Sequence, residues 1–560
     1  MDTRRLILFF IFSFSLVMLW DAWQKFQIKQ NPPPPAAARQ GVAVKDAAIP
    51  QPSQPLPVPA VPGVTPAAPV APVTVPSAGA AGKVIVRTDV LVAEIAAEGG
   101  DLRYVELLQQ KDTVDKNRNF VLLGNEHRYF AQTGLLAQGI ELPTHKTMFE
   151  FAPGTRELGD GEGKLKVRLE TVLGGIKVAK IYTFARGSYA VDVTYEITNG
   201  TAAPIAPSAY LQLLRDNKAP AGESQFLMTY TGPVFYTDAE KFHKFDFSDA
   251  EKGKSVPVKP AGDGWVGMIQ HYFAAAWLPQ GGATREFYSK KVAENLFTAG
   301  VIVPIGNIAA GAAGAFDAKL YVGPQDQDRL KELAPGLDLV VDYGWLTIIA
   351  QPMFWLLKWL HAALGNWGLA IIALTVIIKA VFFPLSAASY KSMARMKKVT
   401  PRMTQIRERY GSDRTKMNQA MMELYKEEKI NPLGGCLPIV VQIPVFIALY
   451  WTLLASVEMR HAPFYGWITD LSAPDPYYIL PIIMAVSMFV QTRMNPTPPD
   501  PIQAKMMMIM PVVFSVFFFF FPAGLVLYWV VNNVLSIAQQ WQITRMIESG
   551  ADPDKKKKKA

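Results

Sequence analysis

Lys379 is the sole charge inside an apolar run from Trp367 to Ala388. The next charge toward the carboxyl end, Lys391, lies twelve residues on, about 18 Å along a helix. An ammonium in hydrocarbon is costly, so two readings compete: its stem leans toward the headgroups, or it faces a wet cavity. Gln442 in a second apolar run and Asn532 and Asn533 in a last one are amides that need partners in hydrocarbon. They find them in the same cavity or by hydrogen bonding between helices. No acid occurs within these runs, which argues for a counter-charge brought to Lys379 by something else.

Bond-making chemistry finds little support. Six histidines are scattered without metal-ligand spacing, and the single cysteine, Cys436, can build neither a disulfide framework nor a thiolate cluster. Gly159-Asp-Gly-Glu-Gly163-Lys164 is one residue short of a phosphate loop and reads as a turn. Asn199-Gly-Thr is formally a glycan sequon, but after a strand it too reads as a turn. No metal, cofactor or catalytic residue is expected, and the chain is not read as an enzyme.

The elements that carry Lys379 follow from composition. The chain has 560 residues, 50% of them apolar, and a mean hydropathy of +0.13, too apolar for a soluble enzyme and too mild for a chain that is membrane throughout. Beyond Asp342 five apolar segments stand out: Trp367 to Ala388, Leu433 to Val457, Tyr477 to Thr492, Met506 to Phe521 and Ala523 to Trp541. At the start, Arg4-Arg5 precede the apolar stretch Leu6 to Trp20. A cleaved signal would want small residues after that stretch, whereas Trp20, Asp21, Ala22 and Trp23 follow, so residues 1–25 read as an uncleaved anchor. That makes six transmembrane helices. Trp345 to His361, with three tryptophans, Lys358 and an internal Pro352, suits a helix lying in the outer interface.

Charge orients these spans. The loop from Ser389 to Asn431 holds eleven Lys or Arg against five acids, Glu458 to Pro476 holds only Arg460 among bases, and the tail over residues 546–560 carries five lysines, Lys555 to Lys559. Every basic cluster falls on the cytoplasmic side if the amino terminus starts there. The net charge of +9 then needs no nucleic acid, although the lysine tail suits anionic lipid or ribosomal RNA. Met506 to Phe521 is sixteen residues, about 24 Å of helix against a hydrocarbon core of about 30 Å. Tyr477 to Thr492 is equally brief, and local bilayer thinning is the expected response.

Residues 26–82 are rich in Pro and Ala, with four prolines at Pro32 to Pro35, and read as an extended tether. A proline-rich ligand for another module is the alternative. Over residues 83–340 the period changes to two: Val191, Val193, Tyr195 and Ile197 point one way while Asp192, Thr194 and Glu196 point the other. Similar runs at Val84 to Val92, Leu165 to Val172 and Val178 to Phe184 predict a large β-sandwich that binds or spaces. In the basic loop, residues 389–431, Met396, Val399, Met403, Ile406 and Tyr410 form a heptad seam. Gly411-Ser412-Asp413 break it, and Met417, Ala420, Met421 and Leu424 resume it, predicting an antiparallel helical hairpin. A methionine-rich seam is either plain core or a pliable surface for varied apolar segments.

Several longer motifs now carry a resemblance. Lys429-Ile-Asn-Pro-Leu-Gly-Gly-Cys-Leu-Pro438, Gln442-Ile-Pro444, Asp470-Leu-Ser-Ala-Pro-Asp-Pro-Tyr-Tyr-Ile-Leu-Pro481 and Phe521-Pro-Ala-Gly-Leu-Val-Leu-Tyr528 closely resemble the YidC membrane protein insertase family (YidC/Oxa/Alb), in the Gram-negative form with a large periplasmic domain. The resemblance implies an α+β membrane protein in which residues 341–545 are a five-helix insertase core. That core has a hydrophilic groove open to cytoplasm and lipid and one basic residue in it. Lys379 stands where many members have Arg, keeping the charge but losing the bidentate fork. Thr375, one turn earlier, and Trp529 match positions that contact the incoming helix. A lipid-modified cysteine near the start, seen in other branches, is absent.

The implied function is insertion, folding and assembly of integral membrane proteins, alone or with the Sec translocon. The implied partners are nascent membrane proteins, that translocon, anionic lipids, and the ribosome and targeting factors through the hairpin and tail. The implied place is the bacterial inner membrane, multi-pass, with both termini cytoplasmic and the β domain periplasmic. A secondary transporter or channel for a small anion is the rival; the five segments show neither an inverted repeat nor an acidic relay. An envelope scaffold would explain the β domain and leave Lys379 unexplained.

Overall fold

Along Ala190–Asn199 the side chains of Val191, Val193, Tyr195 and Ile197 are buried and Glu196 is exposed, so the period of two does make a half-buried strand. The computed structural model describes residues 49–52, 82–221, 229–410, 413–428, 437–495 and 501–549. The expected anchor (1–25), most of the tether, the tail beyond 549, residues Lys429 to Cys436 and the Gly411-Ser412 break lie outside the described residues. The chain divides into two compact units, one formed by Asp46–Gly344 with Ala455–Arg460, the other by the helical remainder.

The first unit consists of two antiparallel sheets. An eight-stranded sheet runs from Lys83–Arg87 at one edge to Glu286–Ala293 at the other, and a nine-stranded sheet runs from Lys241–Lys244 to Glu150–Phe151. They face each other as a sandwich: Trp277 Nε1 donates to the Gln212 carbonyl across the gap at 3.1 Å, and the Tyr129 hydroxyl to that of Met268 at 2.9 Å. The expected strand Val84 to Val92 is instead a hairpin of Lys83–Arg87 and Leu91–Ala96. Thr88 breaks it, because its Oγ1 accepts the Val90 and Leu91 amides and stabilises a tight turn. Both glycine-rich readings as turns agree with the structure. The Glu162 amide donates back to the Gly159 carbonyl, and Asn199 Nδ2, fully buried, donates to the carbonyls of Ala203, Ile308 and Ala309.

The sandwich contains fully buried charges. Lys180 Nζ donates to the Gly99 carbonyl at 2.6 Å, and Asp101 accepts from Gln132 Nε2 at 3.2 Å. Burial pushes the Asp101 carboxyl up to about 7 against the pull of Lys180, and burial pushes the Lys180 amine down to about 8.

In the second unit α1 (Thr347–Leu364) buries Ala350, Leu357 and Leu360 but exposes Ile348, Trp355 and Trp359, as a helix with an apolar outer face would. It ends at Gly365, whose φ of 68° is the left-handed cap that glycine adopts without strain. Asn366 then caps α2 (Trp367–Val381), accepting the Leu369 amide at 3.1 Å. The expected straight span Trp367 to Ala388 is corrected here: α2 ends at Val381, and α3 (Phe383–Tyr410) leaves at 66°. Pro384 explains the break, since a proline lacks the amide needed to continue a helix and clashes with the preceding turn.

The hairpin is made by α3 and α4 (Arg414–Glu427), with Asp413 capping α4. Val399, Met403 and Leu424 form its core with Met396, Ile406 and Met421 packed against them; Met417 is half-buried outside that cluster. The remaining helices are α5 (Leu437–Ala455), α6 (Ile479–Met494), α7 (Pro501–Phe518) and α8 (Ala523–Glu548). The last helix packs on α2, α3 and α6. Among the described residues no single helix is long and apolar enough to cross a membrane by itself; α2 and α3 meet that test only as a bent pair.

Candidate functional site

One face of α8 carries Trp529, Asn532, Asn533, Ser536 and Gln540, spaced three, one, three and four, so one helical stripe presents three amides and a hydroxyl. Opposite it, α2 brings Lys379, α3 brings Ser386, Ser389 and Tyr390, α5 brings Gln442 and Phe446, and α6 brings Gln491. Together they enclose a cavity of about 300 Å³.

Lys379 is only 6% exposed. Its Nζ donates to Ser536 Oγ at 2.7 Å, and that hydroxyl donates to the Asn532 carbonyl at 2.7 Å. Among the described residues no carboxylate forms an ion pair with Lys379, and the hydrogen bond described for its ammonium goes to the Ser536 hydroxyl. An ammonium has three donors, and in so apolar a setting an added anion would be held more strongly than in water. Elsewhere in the wall, Gln442 Nε2 is 3.5 Å from Ser386 Oγ, Asn533 Nδ2 donates to Ser487 Oγ at 3.3 Å, and Gln540 Nε2 donates to Asn495 Oδ1 at 3.0 Å. The buried Gln540 Oε1 has no hydrogen-bond partner among the described residues. One side of the cavity is aromatic: the Trp529 ring meets Phe446 edge-on, with centroids 4.4 Å apart, and leans on Phe518 at 5.3 Å.

Of the residues singled out by sequence, Lys379, Gln442, Trp529, Asn532 and Asn533 share this cavity. Thr375 does not line it; it is buried with its hydroxyl donated to the Ile371 carbonyl at 2.7 Å. Sequence reasoning passed over Ser386, Ser389, Tyr390, Ser536 and Gln540. The α8 stripe was readable from its spacing. The α3 residues were not, because the bend after Val381 brings into the wall a segment otherwise read as a straight span and a cytoplasmic loop.

Comparison with known proteins is consistent along the chain. Residues 83–356 match the family described as YidC periplasmic domain, and residues 359–550 match that described as 60Kd inner membrane protein. Membrane protein insertase YidC of Aromatoleum aromaticum is 58% identical over 560 residues, covering 99% of this chain and 100% of that protein. The protein of the same name from Dechloromonas aromatica is 57% identical, covering 98% of each. A solved structure described as active YidC insertase with the first transmembrane domain resolved is 19% identical, with a TM-score of 0.38, covering 82% of this chain and 92% of that one. With identities well above half over nearly its whole length, the chain belongs to the YidC family of membrane protein insertases, inner-membrane proteins with a periplasmic domain.

Proposed function

We propose that the Lys379 cavity is the site that receives the polar segment of a membrane protein under insertion. The observation that carries this reading is a nearly buried lysine held by Ser536 alone among the hydrogen bonds described for it, in a polar wall without a carboxylate. A polar segment crossing about 30 Å of hydrocarbon meets a prohibitive desolvation cost. A wet half-way cavity shortens that path, and the ammonium attracts acids in the segment on its way across. Trp529 and Phe446 offer an apolar flank along which the client's helix leaves into lipid, with Thr375 acting behind this surface as packing. Five core spans and an anchor, both termini in the cytoplasm, a hairpin that meets the chain first, and use beside the Sec translocon or a ribosome complete the reading. The short α6 and α7, 16 and 18 residues, favour local thinning of the bilayer.

The test is insertion of a short two-span client, supplied by translation, into proteoliposomes holding only the purified protein and read as protease protection. Protection well above empty liposomes is expected. Lys379→Ala should lower the yield of a client with acids in its translocated segment by about tenfold, roughly 1.4 kcal/mol, while Lys379→Arg retains it. Equal yields for Lys379→Ala and the parent would remove the charge from the mechanism.

A further inference from the structure

Part of the tether is not free. Residues Ile49–Pro52 belong to the same compact unit as the β-sandwich, with Pro50 buried and Ile49 half-buried, while Gln51 and Pro52 are exposed. Lys290 Nζ donates to the Ile49 carbonyl at 3.2 Å. Lys290 lies on Glu286–Ala293, an edge strand of the eight-stranded sheet, half-buried beside Tyr288, whose hydroxyl donates to Gln212 Oε1 at 2.8 Å.

We propose that this edge is a docking site for an Ile-Pro step and that the chain's own tether occupies it, with Lys290 as the recognising donor. The chemistry selects such a step. Proline has no amide, so the segment cannot join the sheet as another strand, and the contact falls to the carbonyl before it and to the buried ring. The ring of Pro50 already fixes its own φ, so less chain entropy is lost on docking than for a step without proline. Ile49 is the only isoleucine between Asn31 and Gly82, which distinguishes this step from the Val-Pro, Ala-Pro and Leu-Pro steps beside it. Docking changes what the tether can do. Of its 57 residues, 26–82, only the 23 from 26 to 48 remain on the amino-terminal side of the pinned point, about 70 Å of contour rather than about 175 Å at 3.1 Å per residue.

The test uses the full chain in native membranes with a benzophenone photocrosslinker in place of the exposed Gln51, and maps the adduct by mass spectrometry. The adduct should fall within Glu286–Ala293, and its yield should drop about fivefold or more in both Lys290→Met and Ile49→Lys, the latter setting a second ammonium beside Lys290. Hydrogen exchange along the core strand Ser208–Asp216 reports whether the domain is intact. Should Lys290→Met perturb it, Ile49→Lys, outside the sheets, still decides. Adducts scattered over the domain, or a yield untouched by Ile49→Lys, would overturn the docking site.

Discussion

Lys379 and His145 show two ways a folded chain keeps an ionisable group out of bulk water. Lys379 stays within reach of a polar cavity, whereas His145, 3% exposed, is sealed against Tyr210, whose hydroxyl accepts the His145 amide at 2.9 Å and meets Nδ1 at 2.6 Å. Burial, reinforced by the charge of Lys180, pushes the imidazole down from 6.5 to about 4. A depressed base is held neutral by the fold, so its contribution is complete above pH 6.5 and is lost as pH falls through 4. The full shift corresponds to about 3 kcal/mol. Asp101 acts oppositely: its carboxyl is raised to about 7, so its contribution is present at low pH and is lost as pH rises through 7. The parent protein therefore shows partly cancelling slopes, and the His145→Phe variant separates them. Between pH 7 and pH 4 the parent should lose stability relative to His145→Phe, measured by hydrogen exchange at Ser208–Asp216 in the full chain. A pH-independent difference would mean that the imidazole is not held neutral.

The hairpin and the bent α2–α3 pair show how far elements were legible. The heptad seam put Met396, Met403, Ile406 and Met421 together, and the structure packs them round Val399 and Leu424, because a spacing of three and four fixes one helical face whatever the rest of the chain does. Met403→Leu, which keeps volume and apolarity, should cost less than about 1.5 kcal/mol. Met403→Asp buries an unpaired carboxylate and should melt both helices, seen as fast amide exchange across α3 and α4. Retained protection in Met403→Asp would show that the seam is not a core. The break after Val381 was missed although Pro384 marks it, because hydropathy alone runs smoothly from Trp367 to Ala388. The consequence reached the site, since Ser386, Ser389 and Tyr390 belong to its wall. At the other end of α2 a close approach leaves no room for error. A Cβ at Gly368 would sit 2.1 Å from the Phe464 ring, so Gly368→Ala should destabilise this corner by about 1–3 kcal/mol, read as lost protection in α2. Unchanged exchange would mean that Phe464 can move aside.

At the scale of the whole molecule, the sequence divides into an apolar-run half and an alternating half, and the two compact units follow that division closely. What patterning could not supply was sheet order, because strands distant in the chain pair within one sheet, as Ser208–Asp216 does with Phe130–Leu136 and Leu296–Pro304. Charge supplies a further global statement. With the β domain periplasmic, eleven bases in residues 389–431 and a single base in Glu458 to Pro476 predict that the hairpin and the loop after α5 lie on opposite sides. The exposed side chains Met422 on the hairpin, Tyr465 in that loop and Val172 in the β domain turn this into a measurement. In a Cys436→Ser background, Tyr465→Cys and Val172→Cys should react alike with a membrane-impermeant maleimide applied from the periplasmic side. Met422→Cys should react only once the inner membrane is opened. Labelling of Met422→Cys from outside would refute the orientation. It would also place the basic hairpin against the membrane potential, where each charge is worth about 2.3 kcal/mol per 100 mV.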